Sequence, residues 1–203
     1  MMEGMSALTD PTFTENARRA QIVQAAIDTV NDLGYPRASL AAIARRAGVA
    51  KSAIVYYFAS KDHLLLHVVD RVFTALEELL EKAVAAHEEP EARLRAYVEA
   101  HLAYVDGHRA DIAAGTEIVI SHRGEDGVPL YLTGTDEDTA LLRGVLKAGM
   151  DQGVFRPMPL HVAAGLVDAL LYMATTEVQR DLDADLTEVL PEIVTLIFRG
   201  LVD

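Results

Sequence analysis

The chain of 203 residues contains no cysteine and no tryptophan. Without cysteine, a disulfide framework, a thiolate metal site and a cysteine nucleophile are all excluded. No uninterrupted apolar run reaches the roughly 18 residues that a membrane-spanning helix needs, so we expect no membrane partner. The first ten residues lack both a basic start and a long apolar core. This composition argues against a signal peptide and makes the cytoplasm the expected compartment.

Signatures of catalysis are missing as well. Serines are few, none lies in a G-x-S-x-G setting, and there is no glycine-rich phosphate loop. His63 and His67 are four residues apart, but no third ligand accompanies them, so a surface or interdomain role is favoured over metal binding. We therefore expect no enzyme, no metal and no cofactor. A small-molecule enzyme with an accessory helical head is kept as a minor alternative.

Basic residues are few and unevenly placed. The net charge of -13 by itself disfavours nucleic-acid binding, because phosphate contacts need Lys and Arg. Residues 1–61 nevertheless carry seven basic and five acidic residues, a net charge of +2, whereas residues 62–203 carry -15. A mildly basic N-terminal part on a strongly acidic remainder suggests that one end of the chain faces DNA. A solvated acidic surface that starts late in the chain is the alternative.

Apolar residues recur at three- and four-residue spacing along most of the chain, which predicts an all-α protein. Residues 1–13 are mostly polar and terminal, so we expect a flexible tail there. Residues 14–61 are predicted to form an N-terminal domain of three helices. The first helix should begin near Thr14 and end at Gly34, where a left-handed residue is favoured. The following Tyr35-Pro36 predicts an extended connection, since the residue before proline avoids the helical region.

The stretch from Ser39 to Lys61 predicts a helix-turn-helix. Ser39 is a suitable N-cap, and Gly48 supplies the backbone freedom for the turn. The third helix should run from about Ala50 to Tyr57. Modules of this shape place the second of their two helices in the major groove of DNA. At about 100° per residue, the outward face of that helix comprises Lys51, Ser52, Ala53 and Tyr56, with Val55 and Tyr57 at its borders.

The residues L-A-A-I-A-R-R-A-G-V-A, followed by Y-Y-F-A-S-K, resemble the N-terminal helix-turn-helix of the TetR family of bacterial transcription regulators. In that family an I-A-x-x-A-G-V turn precedes a short helix that ends in Y-x-Y-F or Y-Y-F, followed by S-K. The resemblance runs from about Ile22 to Leu65 and includes D-L-G-Y at the end of the first helix. It implies that phosphates are held by Ser39, Tyr57 and Lys61, and that bases or the adjacent backbone are faced by Lys51, Ser52, Ala53 and Tyr56.

Two positions of the third helix depart from the family pattern. Ala53 stands where Ser or Thr is usual, and Val55 stands where Tyr is usual. Both changes remove hydroxyls that could contact phosphate and leave methyl groups that could at most meet a thymine methyl. The base preference is therefore open. A dimeric small-molecule-binding or interaction module with weak or no specific DNA binding is the second alternative.

Residues 62–203 are predicted to form a helical ligand-binding and dimerisation domain. Residues 123–134 are rich in Gly and charge, which predicts a loop and a candidate pocket lid. Pro191 lies inside the last apolar pattern, so that helix either kinks there or begins just before it. Asp185 and Glu188 have the spacing of a capping box. Six helices are expected in this domain. Two are predicted by their N-caps, Ser60 and Asp136, and the other four should span residues 91–106, 111–122, 160–180 and 186–201.

Several polar residues of this domain are embedded among apolar ones. Ligand pockets combine mostly apolar walls with a few placed polar groups, so these residues are candidates for small-molecule recognition. Asp168 is the most unusual, being a carboxylate within A-A-G-L-V-D-A-L-L-Y-M. It could pair with a cationic ligand, cap a buried network or lie at a dimer interface. The candidate ligand-binding residues are Tyr97, His101, Tyr104, Glu117, His122, Asp168 and Tyr172.

The last two helices are the most apolar, and small residues in the first of them permit close helix approach. Two such helices from each of two chains would form a four-helix bundle, the homodimer that the resemblance implies. A monomer that buries them internally is the alternative. The sequence thus predicts a homodimeric regulator that binds a palindromic operator in double-stranded DNA and is released by a small apolar or amphipathic effector. Repression is what the resemblance implies, with activation left open.

Overall fold

The computed structural model describes residues 13–134 and 139–202. Within these ranges the chain forms nine α-helices and two short 3-10 turns, Tyr35–Arg37 and Leu130–Leu132. The predicted all-α fold with an N-terminal helix-turn-helix is confirmed. The helices are α1 (Phe13–Leu33), α2 (Leu40–Ala47), α3 (Lys51–Tyr57), α4 (Lys61–Ala85), α5 (Pro90–Gly107), α6 (Arg109–Ser121), α7 (Ala140–Asp151), α8 (Leu160–Arg180) and α9 (Val189–Leu201).

Local signals in the sequence set the ends of α1 and α2. Gly34 and Gly48 have φ of 77° and 63°, the left-handed region in which any side chain would be strained. The Gly48 amide bonds back to the last turn of α2, which closes that helix and turns the chain into α3. At the other end of α2, Ser39 Oγ accepts a hydrogen bond from the Ala42 amide at 3.2 Å. Both glycines and the serine cap therefore act as the sequence predicts.

The N-terminal helices share one apolar core. α1 packs against α2, α4 and α6, and α2 packs against α3. The side chains between these helices are completely buried, and they recur at the helical spacing from which the elements were predicted. The largest of them are Ile22, Ile27, Ile43, Ile54 and Phe58.

α4 crosses the predicted domain boundary at residues 61 and 62 without interruption. Ser60 Oγ accepts a hydrogen bond from the His63 amide at 3.0 Å, so the predicted cap is confirmed. The apolar stripe of α4 stays buried from Leu64 to Val84, and the helix contacts α1, α5 and α6. One helix and one continuous core therefore join both parts of the chain. The division into two domains stays a prediction.

The start of α9 differs from the expected one. α9 begins at Val189, three residues late, so Pro191 is its third residue, where backbone amides have no intrahelical acceptor. The later start, rather than a kink, is thus confirmed. The prediction that Asp185 and Glu188 form a capping box is wrong. Asp185 Oδ1 instead accepts a hydrogen bond from the Thr187 amide at 3.0 Å, which forms a turn ahead of the helix.

Two expectations fall outside the described residues. They are the tail at residues 1–13, except for Phe13 as the first residue of α1, and Asp136 as a helix cap. Residues 123–134 contain no α-helix, as a loop requires, although Arg123 and Pro129 form one isolated antiparallel bridge. Within the described ranges, no helix is both long and apolar enough to cross a bilayer.

α7 packs against the segment that follows it through a glycine. A Cβ atom built on Gly149 would lie 2.0 Å from Cδ2 of Phe155. The Phe155 side chain is completely buried, so its ring has little room to move away. The close approach of helix and ring therefore requires glycine at this position.

Gly149→Ala should lower the free energy of unfolding by about 1–3 kcal/mol, because the added methyl group displaces the Phe155 ring. Gly144→Ala is the matched control on the same helix, since Gly144 is exposed and its Cβ position has no neighbour within 4 Å. That substitution should stabilise the chain by up to about 1 kcal/mol through helix propensity. Urea denaturation measures both effects. Equal changes in the two variants would contradict the packing described.

Candidate functional site

The outer face of α3 carries the side chains that the sequence assigned to it. Lys51 and Ser52 are exposed, and Tyr56 is 74% exposed, a high value for so large a side chain. Ala53 is half-buried and Val55 is exposed. The face therefore presents one cation, one hydroxyl and one phenol, which are groups that contact phosphates and base edges in protein–DNA complexes.

The opposite face of α3 fixes the helix on the core. Ile54 and Phe58 are completely buried, and the guanidinium carbon of Arg19 lies 5.0 Å from the centre of the Phe58 ring. Tyr57 is half-buried, and its ring meets that of Tyr56 edge to face, with 4.9 Å between the centroids. Tyr56 is thus supported by a neighbouring ring on a helix whose inner side is anchored.

Two of the expected phosphate contacts already have protein partners. Ser39 Oγ caps α2, although a hydroxyl can still donate its proton elsewhere. Lys61 Nζ donates a hydrogen bond to the Tyr35 carbonyl at 2.7 Å and lies 4.4 Å from the centre of the Tyr35 ring. Burial lowers the pKa of Lys61, an effect that Asp62 opposes. Lys61 is therefore turned towards Tyr35, and its contact with phosphate stays a prediction.

The seven candidate ligand-binding residues lie in separate places. Tyr104 donates a hydrogen bond from its hydroxyl to the Val72 carbonyl in α4, 3.1 Å away. Tyr172 is 45% exposed on α8. The remaining candidates form two groups, namely Tyr97, His101 and Asp168 on α5 and α8, and Glu117 with His122 at the end of α6.

Tyr97, His101 and Asp168 form a polar cluster where α5 meets α8. The ring centroids of Tyr97 and His101 are 6.3 Å apart. Burial lowers the pKa of His101 to about 4, and within the described part of the chain its Nδ1 is enclosed without a hydrogen-bond partner. Burial raises the pKa of Asp168 to about 6, and burial together with the Asp168 charge raises the pKa of Tyr97. Enclosed groups with shifted pKa values and incomplete hydrogen bonding are typical of binding sites.

Glu117 and His122 contact the N-terminal helices through Tyr35. The Tyr35 hydroxyl lies 2.8 Å from Nδ1 of His122, whose side chain is buried. Glu117 Oε1 lies 3.5 Å from the Tyr35 amide nitrogen and accepts a hydrogen bond from Ser121 Oγ at 3.0 Å. Burial and the charge of Asp62 raise the pKa of Tyr35, so its phenol is protonated at neutral pH. These two candidates therefore belong to the junction between the N-terminal helices and the rest of the chain.

Tyr35 is a residue that the sequence did not single out. The pair Tyr35-Pro36 predicted only an extended connection, and this is wrong, because residues Tyr35–Arg37 form a 3-10 turn. The turn brings the backbone and the ring of Tyr35 against α6. Its partners are distant in sequence, 82 residues away for Glu117 and 87 for His122. No local pattern in the sequence could have revealed those contacts.

Two cavities lie at the N-terminal helices. One of about 360 Å³ lies between α1 and α4, with Arg19, His67 and Arg71 in its wall. The other, of about 220 Å³, lies beside α2 and is lined in part by Arg45 and Arg46. None of the seven candidate ligand-binding residues lines either cavity. Across residues 13–134 and 139–202, no group of three His, Cys, Asp or Glu side chains is placed to hold a metal ion.

The N-terminal segment matches a known family. Residues 22–68 match the family described as "Bacterial regulatory proteins, tetR family", a range that includes all of α2 and α3. The HTH-type transcriptional regulator BetI of Burkholderia ambifaria is 35% identical over 88 residues, 41% of this chain and 44% of that protein. BetI of Cronobacter sakazakii is 38% identical over 103 residues, 48% of this chain and 49% of that protein. The chain thus spans about half the length of the curated relatives it matches.

Solved structures extend the likeness over most of the chain. The TetR family transcriptional regulator PfmR from Thermus thermophilus has a TM-score of 0.74 and 26% identity, covering 88% of this chain and 97% of that one. The regulator FadR from Bacillus subtilis, in complex with stearoyl-CoA, has the same fold with a TM-score of 0.71 and 22% identity, covering 89% and 98%. Residues 22–68 therefore carry the helix-turn-helix of the TetR family of bacterial regulatory proteins, and the remaining helices have the arrangement seen in a solved regulator of that family.

Proposed function

We propose that the protein is a DNA-binding transcriptional regulator whose DNA binding responds to a small-molecule ligand. The exposed face of α3, with Lys51, Ser52 and Tyr56, carries this proposal. Residues 1–61 have a net charge of +2 and the remainder -15, so the N-terminal helices rather than the acidic body are suited to approach phosphates. Relatives named as transcriptional regulators support the same conclusion.

The proposed regulator acts in the cytoplasm, where chromosomal DNA is available, and it has no catalytic activity, cofactor or metal. Its ligand-free form binds a palindromic operator and represses transcription. In a two-fold dimer, the two recognition helices must lie about 34–36 Å apart to reach successive major grooves. A ligand that stabilises another spacing therefore weakens DNA binding. Coupling between such sites is typically about 1–3 kcal/mol, which corresponds to an affinity change of about 5- to 150-fold.

The ligand site is proposed at the cluster of Tyr97, His101 and Asp168. A half-buried carboxyl group with a raised pKa and an enclosed imidazole nitrogen without a partner in the described residues both destabilise the folded chain, and a ligand can satisfy them. Apolar side chains such as Leu102 and Leu171 are buried on the same two helices, and ligand sites combine such apolar surroundings with a few polar groups. The stearoyl-CoA complex of the FadR neighbour supports ligand binding by this fold.

The homodimer is proposed to form through α8 and α9. Val162, Leu166 and Met173 are spaced four and seven residues apart on α8 and are all exposed, as is Leu196 on α9. Exposed apolar side chains on one helical face are typical of an interface that another surface covers. A second copy of the chain, packed with its own α8 and α9, would cover this face as a four-helix bundle.

Selection from random double-stranded DNA tests the function directly. The protein should enrich a two-fold symmetric sequence whose half-sites are one helical turn apart, because a symmetric dimer places two copies of α3 in successive major grooves. Failure to enrich any sequence would reject DNA recognition and favour the interaction module instead. A ligand that is chemically converted by the protein would favour an enzyme.

In the same assay, Lys51→Ala should weaken binding to all DNA sequences by about 3- to 10-fold and reduce the slope of log affinity against log salt by about 1, because one phosphate contact is lost. Lys147→Ala is the matched control. It removes the same charge from α7, where Lys147 is exposed and pairs with Asp151. A similar loss in both variants would show that overall charge, rather than a contact of Lys51, determines the affinity.

Sedimentation at micromolar concentration should give a species of about twice the chain mass of 22.1 kDa. Leu166→Glu should convert it to the single-chain species, because a carboxylate would be buried without a partner in the proposed interface. Leu79→Glu introduces the same charge on α4, at an exposed position outside α8 and α9, and should leave the dimer intact. A dimer that survives Leu166→Glu would place the interface elsewhere.

Asp168→Asn should stabilise the protein at pH 7 and have no effect below pH 4. The pKa of Asp168 is raised from 3.8 to about 6, so the folded chain favours the protonated carboxyl group and loses stability as the pH rises between these values. The shift of about two units corresponds to roughly 3 kcal/mol, which partial solvation reduces to about 1–2 kcal/mol. Urea denaturation from pH 4 to pH 7 measures the difference. A difference that does not vary with pH would contradict the burial of this carboxyl group.

A further inference from the structure

Tyr35 makes three contacts with residues of other elements. Tyr35 lies in the 3-10 turn between α1 and α2. Its hydroxyl contacts His122, its amide faces Glu117, and its carbonyl accepts a hydrogen bond from Lys61 at the start of α4. We call these residues, together with Asp62, whose Oδ1 lies 4.0 Å from His122 Nδ1, the Tyr35 junction.

The Tyr35 junction continues into the loop of residues 123–134. His122 directly follows α6 as its C-cap, and its amide bonds back to the Ile118 carbonyl at 2.8 Å. Its own carbonyl accepts a hydrogen bond from the Leu130 amide at 3.1 Å. His122 therefore holds the loop through its backbone and Tyr35 through its ring. His122 thus connects the loop to the turn at Tyr35 through a single residue.

The turn at Tyr35 is directly connected to the helix-turn-helix. It joins α1 to α2, and the Lys61 ammonium group that bonds to its carbonyl belongs to the helix that follows α3. The same ammonium group lies over the Tyr35 ring at 4.4 Å. The position of Tyr35 thus affects the chain both before α2 and after α3, which are the two connections that set the orientation of α3.

A second contact between the N-terminal helices and α6 does not involve the loop. Asn31 Nδ2 in α1 donates a hydrogen bond to the Ala110 carbonyl at 2.9 Å, at the opposite end of α6 from His122. Loss of this bond would weaken the same helix pair without affecting His122. Asn31 therefore provides a control that separates general loosening of the helices from a specific effect of the Tyr35 junction.

We propose that Tyr35 is a positioning residue that links the order of loop 123–134 to the orientation of α3 through its hydrogen bond with His122. The linkage rests on the proposed DNA-binding function, because α3 is the element presented to DNA. By thermodynamic reciprocity, a ligand that moves the loop changes DNA affinity, and DNA binding changes the order of the loop. Tyr35→Phe removes only the hydroxyl and keeps the ring, the backbone and the contact with Lys61.

Hydrogen exchange of the backbone amides of residues 124–132 tests the linkage without an identified ligand. In the DNA-free protein, Tyr35→Phe should speed this exchange by about fivefold, the factor expected for the loss of one ordinary hydrogen bond. Asn31→Ala should leave the exchange of these amides at the wild-type rate. Unchanged exchange in Tyr35→Phe would overturn the proposal, as would equal acceleration in the two variants.

A second arm uses the DNA sequence that selection enriches. Binding of this DNA should slow exchange of residues 124–132 by about fivefold in the wild-type protein and in Asn31→Ala, and by less than about twofold in Tyr35→Phe. DNA binding by the wild-type protein without any change in the loop would overturn the linkage while leaving the proposed function intact. If no DNA sequence is enriched, the proposed function fails, and the DNA-free arm still decides whether Tyr35 orders the loop.

Discussion

The buried stripe of α4 is the constraint on which the rest of the structure depends. Leu64, Leu65 and Val68 are completely buried near the start of this helix, and the burial continues to Val84. Each fully buried side chain of this size contributes about 1.5–3 kcal/mol, so separating α4 from its neighbours would cost far more than a ligand typically supplies. The helix-turn-helix can therefore move relative to the body only by small shifts that keep this stripe packed. A DNA complex that depends on the distance between two recognition helices is sensitive to shifts of that size.

Polar groups inside this apolar framework fall into two classes with different physical consequences. At the Tyr35 junction the groups are paired, and the partly buried hydrogen bond between Tyr35 and His122 favours one geometry because breaking it would leave the buried His122 ring without this partner. Between α5 and α8 they are not fully paired, since Asp168 is partly buried with a raised pKa and His101 Nδ1 has no partner within the described residues. Unsatisfied groups reduce the stability of the folded chain and leave hydrogen-bonding capacity for a ligand. The paired set positions the helices, and the incompletely paired set is suited to binding.

Sequence reasoning succeeded where a feature depends on neighbours along the chain. The caps at Ser39 and Ser60 and the left-handed glycines at Gly34 and Gly48 are local, because each satisfies or turns backbone within a few residues. Local rules also explain the error before α9. Asp185 can bond to a nearby amide either as a helix cap or in a short turn, and the sequence does not distinguish between these two outcomes.

The all-α class, the helix-turn-helix and the outward face of α3 were determined by the sequence alone, because helical periodicity and turn residues act over short distances. The grouping of polar residues in the body was decided only by the tertiary structure. Tyr104 bonds to α4, Glu117 and His122 meet Tyr35 across more than 80 residues, and only Tyr97, His101 and Asp168 form the cluster between α5 and α8. Contacts between distant helices depend on how their faces pack, and apolar periodicity specifies which face is buried without specifying its partner. For that reason the sequence identified α3, with its exposed polar face, and the polar candidates, while only the packed chain separated the candidates that contact Tyr35 from those that cluster between α5 and α8.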